Sequence, residues 1–235
     1  MCVVTNDGDS GEETWAAMQR QFEGATVDLR VLRVAPAVGS SVLDRLGVSA
    51  RSTMGALACH VGALLVDHGW LRVLAGGSAS IPDIATANQL TDSAPSFLFV
   101  AEDVLGGRFA IDGGGLGVAP GEVCYFGPDT LEWTGIGGGY STFIGWALSG
   151  GTVEFYRDLR WDGWEAETGA LHLDEGISLY PPPFTSQGQD LGASSRRAVP
   201  IIELHGFYSE TATQLASLAD GDQFVFRVDG NNSTV

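Results

Sequence analysis

The sequence predicts an α+β domain, a mostly antiparallel sheet with helices packed on one side, and three observations lead there. Strand-like runs outnumber helical ones and gather in the middle of the chain. Short turns rich in Gly, Pro and Asp join those runs, whereas a parallel pair would need a crossover of a dozen or more residues. Helical spacing then recurs on both sides of the strand-rich stretch, which supplies a cover for one face of the sheet. With 44% apolar and 17% charged residues over 235 positions, the composition is that of a chain able to bury its own core.

Taken in order, residues 1–11 read as a polar tail and 12–229 as a single domain. Glu12 to Glu23 places Trp15, Met18, Gln19 and Phe22 at helical spacing, with Ser10 or Thr14 available as a cap. Val27 to Val34 alternates as a strand does, and Pro36 ends it. A short helix follows through Ser41, Val42, Leu43 and Leu46, closed by Gly47. Met54 to Leu74, interrupted by Gly55, Gly62 and the turn Asp67-His68-Gly69, reads as three short strands.

Two hairpins come next. Phe97 to Val100 and Arg108 to Ile111 flank Leu105-Gly106-Gly107, while Glu122 to Phe126 and Thr130 to Trp133 flank Gly127-Pro128-Asp129. The glycine runs at 113–117 and 135–139 read as hinges. Phe143, Trp146, Ala147, Phe155 and Leu159 return to helical spacing, so two helices are expected from Ser141 to about Leu159. Pro181, Pro182, Pro183 and the polar stretch after them suggest a mobile loop. A strand at 200–207, a helix at 209–219 and a strand at 223–228 close the domain before a polar tail, 230–235. The expected core comprises Leu71, Val73, Phe99, Phe109, Ile111, Phe126, Phe143 and Trp146.

Charge narrows the function. Twenty-nine acids face twelve arginines and no lysine, a net charge of −17. Phosphate binding needs clustered basic residues, so direct nucleic-acid contact is not expected, and an anionic membrane surface would repel the chain. Cys2, Cys59 and Cys124 have neither disulfide-framework nor zinc spacing. With no secretory signal and no long apolar run, a cytoplasmic location is the expectation. No HExxH, calcium-loop, P-loop or dinucleotide pattern occurs, so neither metal nor cofactor is called for.

Catalytic candidates are few. Cys59 adjoins His60, but neighbouring side chains on a strand point to opposite faces. Ser78 and Ser80 lack a nucleophile-elbow context. His60 and His68, with Asp67 beside the second, make up the alternative reading, a hydrolase or metal-dependent enzyme. The pairs Glu102 with Asp103, Asp129 with Glu132 and Glu165 with Glu167 would suggest acid/base work only if buried with shifted pKa values. Trp161 and Trp164 stand in a charged run, RWDGWEAE, as aromatic anchors of an interaction surface would. With Asp162, Glu165, Asp129 and Trp133 they form the candidate partner-binding set.

Four segments, DHGWLRVLAGGS (67–78), FLFVAEDVLGGRFAID (97–112), YFGPDTLEWTGIGGGYSTFIGWALSG (125–150) and FYRDLRWDGWEAE (155–167), resemble a bacterial family of uncharacterised proteins, domain-of-unknown-function family 2625. The likeness spans roughly residues 12–207. Its turn residues here are Asp67, His68, Gly69, Trp70 and Arg72 in the first segment, and Asp103, Gly106 and Gly107 in the second. Thr53 and His60 depart from the proline and asparagine usual in that family. The order of GGRFAID, glycine turn, EVCYF, PDTLEW and YSTFIGWAL is similar, more distantly, to the SUKH (Smi/Knr4-like) superfamily. That resemblance implies an α+β fold and a non-catalytic, immunity-type protein that holds a toxin. Fourteen acids between 101 and 190, against Arg108, Arg157 and Arg160, would steer a basic partner to such a surface.

Overall fold

The computed structural model describes residues 8–90 and 95–217. Seven strands form one sheet in sequence order, β1 (Leu29–Arg33), β2 (Val61–Val66), β3 (Leu71–Leu74), β4 (Phe97–Asp103), β5 (Arg108–Asp112), β6 (Val123–Phe126) and β7 (Trp133–Gly135), every neighbouring pair antiparallel. Short turns fold β3 back on β2, β5 on β4 and β7 on β6, while the helices Pro36–Leu46 and Thr53–His60 lie between β1 and β2 and the helix Ile84–Ala87 lies between β3 and β4. A second, two-stranded sheet pairs β8 (Glu175–Tyr180) with β9 (Ser195–Pro200).

One face of the large sheet carries the main core. Leu64, Val73, Ala101, Phe109 and Tyr125 lie in register across it. Against them pack α5 (Tyr140–Leu148) and α6 (Gly151–Phe155), with Phe109 meeting Phe143, Trp146 and Phe155 at ring separations of 5.0, 6.2 and 6.0 Å. The helices α1 (Gly8–Glu23) and α3 (Thr53–His60) extend this layer against α5, and α2 (Pro36–Leu46) packs on α3. The expected antiparallel sheet with helices over one face is therefore present. The opposite face is not bare: α8 (Ile201–Ala216) and the β8–β9 pair lie on it around a smaller apolar cluster of Phe126, Leu131, Val199, Leu204 and Tyr208.

Several elements differ from the sequence reading. Residues 53–60 form a helix rather than a first strand, because Ser52 caps it by accepting from the Gly55 amide at 3.0 Å. Met54 to Cys59 are all buried, which left no polar side to set a period. Residues 201–207 are helical as well, since Ile201, Leu204, Tyr208 and Thr211 recur on one side and the last three are buried. Part of the polar stretch after Pro183 is β9. The glycine run at 113–117 is wound about the Asp112 carboxylate, which accepts from the amides of Gly114, Leu116 and Val118, and it closes the β5–β6 hairpin. Residues 218 and 219 of the expected helix 209–219 and the strand at 223–228 lie outside the described residues, and α1 starts inside the expected N-terminal tail. Of the expected core, Leu71, Val73, Phe109, Phe126 and Phe143 are buried, while Phe99, Ile111 and Trp146 are half-buried.

Candidate functional site

The pairing register places Arg30, Leu65, Arg72, Glu102, Arg108, Phe126 and Trp133 in one row across the α8 face, one residue from each strand. A β-bulge in β4 decides what stands beside that row. Phe99 pairs with Ala110 and Ala101 with Phe109, leaving Val100 as the extra residue. Strict alternation would put Phe97 and Phe99 on the face opposite Glu102, and the bulge turns both rings to the same face. Asn88 secures it there, its carboxamide accepting from the Phe99 amide at 2.7 Å and donating to the Phe99 carbonyl at 2.8 Å.

Between this face and α8 opens a cavity of about 710 Å³. Its wall is largely apolar, with Leu74, Ile81, Phe97, Phe99, Trp133 and Ile201 contributing; Glu102 from β4, Arg108 from β5 and His205 from α8 converge on it, and Asp174 stands exposed at its rim. Burial pushes the Glu102 carboxyl up to about 7; nearby Arg72 opposes the shift and Asp103 adds to it. Burial, helped by Arg108, holds His205 down to about 3, so its imidazole is neutral and its 3.5 Å contact with Glu102 is not an ion pair. Arg108 lies over the Phe126 ring at 4.8 Å and the Trp133 ring at 5.8 Å and donates from Nη2 to Ser209 Oγ at 2.9 Å. Its Nε and the His205 Nε2 are buried without a hydrogen-bond partner. Among the described residues no carboxylate pairs with Arg108, and burial alone lowers its affinity for its proton.

The residues chosen from the sequence are distributed differently. His60 ends α3, stacked on Trp15 at 4.4 Å, and His68 lies beyond the far end of β2. The six-residue strand between them holds them about 20 Å apart. The two histidines are not brought together with Asp67, so the hydrolase or metal alternative lacks the geometry it needs. Asp67 is buried, bonded to Arg160 at 2.5 Å and Thr152 at 3.1 Å, and held with His68 and Gly69 in left-handed backbone (φ 55°, 59° and 82°). His68, Gly69, Arg72 and Glu165 do meet, around a smaller cavity of about 220 Å³. Arg72 is buried and donates to the carbonyls of Leu173 and Glu175 at 3.0 and 2.6 Å.

Trp161 is not an exposed anchor. It is buried against Trp70, donates from its indole to Glu167 at 2.9 Å and lies under Arg196. Trp164, at the start of α7 (Trp164–Gly169), is half-buried, with the Arg160 guanidinium 3.9 Å above its ring and Trp70 at its edge. Arg160 is thus clamped between two tryptophans and Asp67, which is why the charged run folds inward. Asp162, Glu165 and Asp129 remain exposed, and Trp133 belongs to the cavity wall.

Asp103 is fully buried on the other face of β4, where its carboxylate accepts from the Leu105 and Gly107 amides at 2.9 Å each and from Tyr125 Oη at 2.7 Å. Gly107 has to lack a side chain, because a Cβ there would collide with that carboxylate and the tyrosine hydroxyl. Gly106, at φ 89°, leaves room for Leu204 and Tyr208 of α8. The adjacent pair Glu102 and Asp103 is therefore buried, with both carboxyls raised by desolvation, yet divided between the two faces. Arg108 and His205 were not singled out from the sequence. The signal that could have found the site is a charge in each of three largely apolar strands, at Arg72, Glu102 and Arg108.

Comparison with known proteins agrees with the resemblance carried by the four segments. The chain is 35% identical to the uncharacterised protein YbfG of Escherichia coli (strain K12) over 206 residues, covering 87% of this chain and 93% of that one. It is 30% identical to an uncharacterised protein of Haemophilus influenzae over 198 residues, 81% of this chain and 86% of the relative. No solved structure matches, and the more distant SUKH likeness finds no support among these relatives. The model of the family described as "Protein of unknown function DUF2625" matches residues 6–204, and the chain belongs to that family.

Proposed function

We propose that this chain binds a small, largely apolar organic molecule in the cavity between the sheet and α8. The observation that carries the reading is the convergence of Glu102, Arg108 and His205, from three separate elements, on one apolar opening of about 710 Å³. Cavities of this size suit ligands of metabolite dimensions, and a few polar groups in an apolar wall orient what enters. Shifted carboxyl and imidazole groups in one cleft are also more common at functional sites than elsewhere. Thermal unfolding with 2-naphthoate, 2-naphthamide and 2-naphthylmethylamine tests this. At least one probe should raise Tm for the native chain, and Ala87→Phe, which fills the cavity from α4 (Ile84–Ala87), should abolish the rise. A rise that survives Ala87→Phe, or none with any probe, contradicts the reading.

A second reading is a protein-binding role toward a basic partner, a toxin among the candidates. Exposed Asp162 and Glu165 beside half-buried Trp164 favour it, because such acids speed encounter even where no aromatic anchor projects. Salt-dependent capture that weakens on Asp162→Asn but not on Ala87→Phe would support this reading and separate it from the first. The net charge of −17 supports neither nucleic acid nor an anionic membrane as ligand. Among the described residues no helix is long and apolar enough to cross a membrane. The buried free thiol of Cys124 suits a reducing, cytoplasmic setting.

A further inference from the structure

We propose that the cavity selects a monocarboxylate with an apolar or aromatic body, its carboxylate set against Arg108, and that Glu102 takes up a proton as it binds. The inference rests on the cavity being a ligand site, and it is carried by the charges that face one another there. Arg108 is a guanidinium in a desolvated place with aromatic rings below it and Ser209 at one nitrogen, and no described carboxylate neutralises it. Arg108 is half-buried with its Nε enclosed, and a largely desolvated cation without an anion is costly, so an anionic ligand group recovers more at this point than a neutral or cationic one. A bidentate carboxylate fits the planar donor fork. Phe97, Phe99 and Trp133 line the space beside it and suit a flat apolar body.

The difficulty for such a ligand is Glu102, directly opposite Arg108 in the β4–β5 register. The charged groups around Glu102 are Arg72 on β3, Asp103 beside it on β4 and Arg108 on β5, with neutral His205 reaching in from α8. Asp174, exposed at the rim before β8, adds a further acid. Two carboxylates sharing such a site cannot both stay ionised cheaply, and the one already displaced toward neutrality takes the proton. With Glu102 already titrating at about 7, uptake requires a smaller further rise than an ordinary carboxyl would need. The neutral carboxyl then becomes a donor, and His205 Nε2, 3.5 Å away and without a partner, is placed to accept from it.

Calorimetric titration of the full chain with the same three probes, at pH 6, 7 and 8 and in buffers of different ionisation heat, tests this. 2-Naphthoate should bind at least roughly tenfold tighter than 2-naphthamide or 2-naphthylmethylamine at pH 6, and its affinity should fall by up to about tenfold per pH unit above 7. Uptake should approach one proton per ligand at pH 8. Glu102→Gln should keep 2-naphthoate binding and flatten its pH dependence, whereas Arg108→Met should cost at least about tenfold for 2-naphthoate and little for 2-naphthamide. If the amide or amine binds as tightly as the carboxylate, or if 2-naphthoate binds without proton uptake and Glu102→Gln leaves its pH profile unchanged, the proposal fails while the cavity reading stands. If none of the three binds, both fail.

Discussion

At the scale of single residues, burial sets the chemistry of Glu102. Its carboxyl titrates near 7 in the folded chain instead of near its ordinary 4.5, so the folded state holds the proton more tightly than the unfolded one. The stability this confers is complete below pH 4.5 and is lost as pH rises through 7. Glu102→Gln cannot lose it, and urea melts should show the variant gaining roughly 2 to 3 kcal/mol on the native chain between pH 5 and pH 8. A difference independent of pH would mean that Glu102 titrates normally. Asp67 is buried in an ion pair with Arg160. Asp67→Ala leaves that guanidinium uncompensated between Trp70 and Trp164, and should cost about 3 to 5 kcal/mol in the same melts. Asp67→Asn, which tolerates the left-handed backbone, should cost less.

At the scale of elements, the bulge at Val100 turns a strand that would have split its aromatic and acidic residues between two faces into one wall of a cavity. Asn88 is the matching support, replacing the strand neighbour that β3 is too short to provide at Phe99. Asn88→Ala strips the Phe99 amide and carbonyl of their partners. A loss of about 1 to 3 kcal/mol should follow, together with faster hydrogen exchange at the Phe99 amide. Unchanged exchange there would place the anchoring elsewhere.

The same elements show what the sequence could convey. The β4–β5 hairpin and the helices after Ser141 are legible because alternation and turn residues are local signals, and the β6–β7 hairpin is legible as a pairing, although β7 starts at Trp133, where the expected strand ended, and runs into the expected hinge at Gly135. Three things were not. Residues 54–59 are apolar and buried on every side, so no period separates helix from strand. The adjacent isoleucines at 201 and 202 suggest a strand, and only the burial of Leu204, Tyr208 and Thr211 reveals the helix. The cavity depends on a bulge and on α8 meeting β4 and β5 from about a hundred residues away, a tertiary fact with no local pattern. Glu102 was visible as one of many acids, and its burial was not. Trp161 and Trp164 misled for the opposite reason, since Arg160 and Arg196 carry the charges of that region onto the ring faces.

For the whole molecule, the seven-stranded meander separates two tasks. One face, with Phe109, Tyr125 and the helices α1, α3, α5 and α6, holds the main core; the other spends burial on charged residues and an opening. Buried charge is a poor stabiliser, and on this face the charges of Glu102 and Arg108 stand beside an opening instead of being closed over as Asp103 is on the other, which is what the proposed ligand site requires. Net charge acts at the same scale. At −17 the chain repels itself, and raising NaCl from about 0.05 to 0.5 M, which shortens the screening length severalfold, should raise Tm by a few degrees. An unchanged Tm would show the acids already neutralised by local pairing. The most direct test of the account is where a ligand contacts the fold. Titrating 2-naphthoate into the isotope-labelled chain and following its nitrogen–proton spectrum should move the Phe99 amide, the Trp133 indole and the Arg108 Nε–H together; shifts centred on His68 and Trp164 instead, or none, would contradict it.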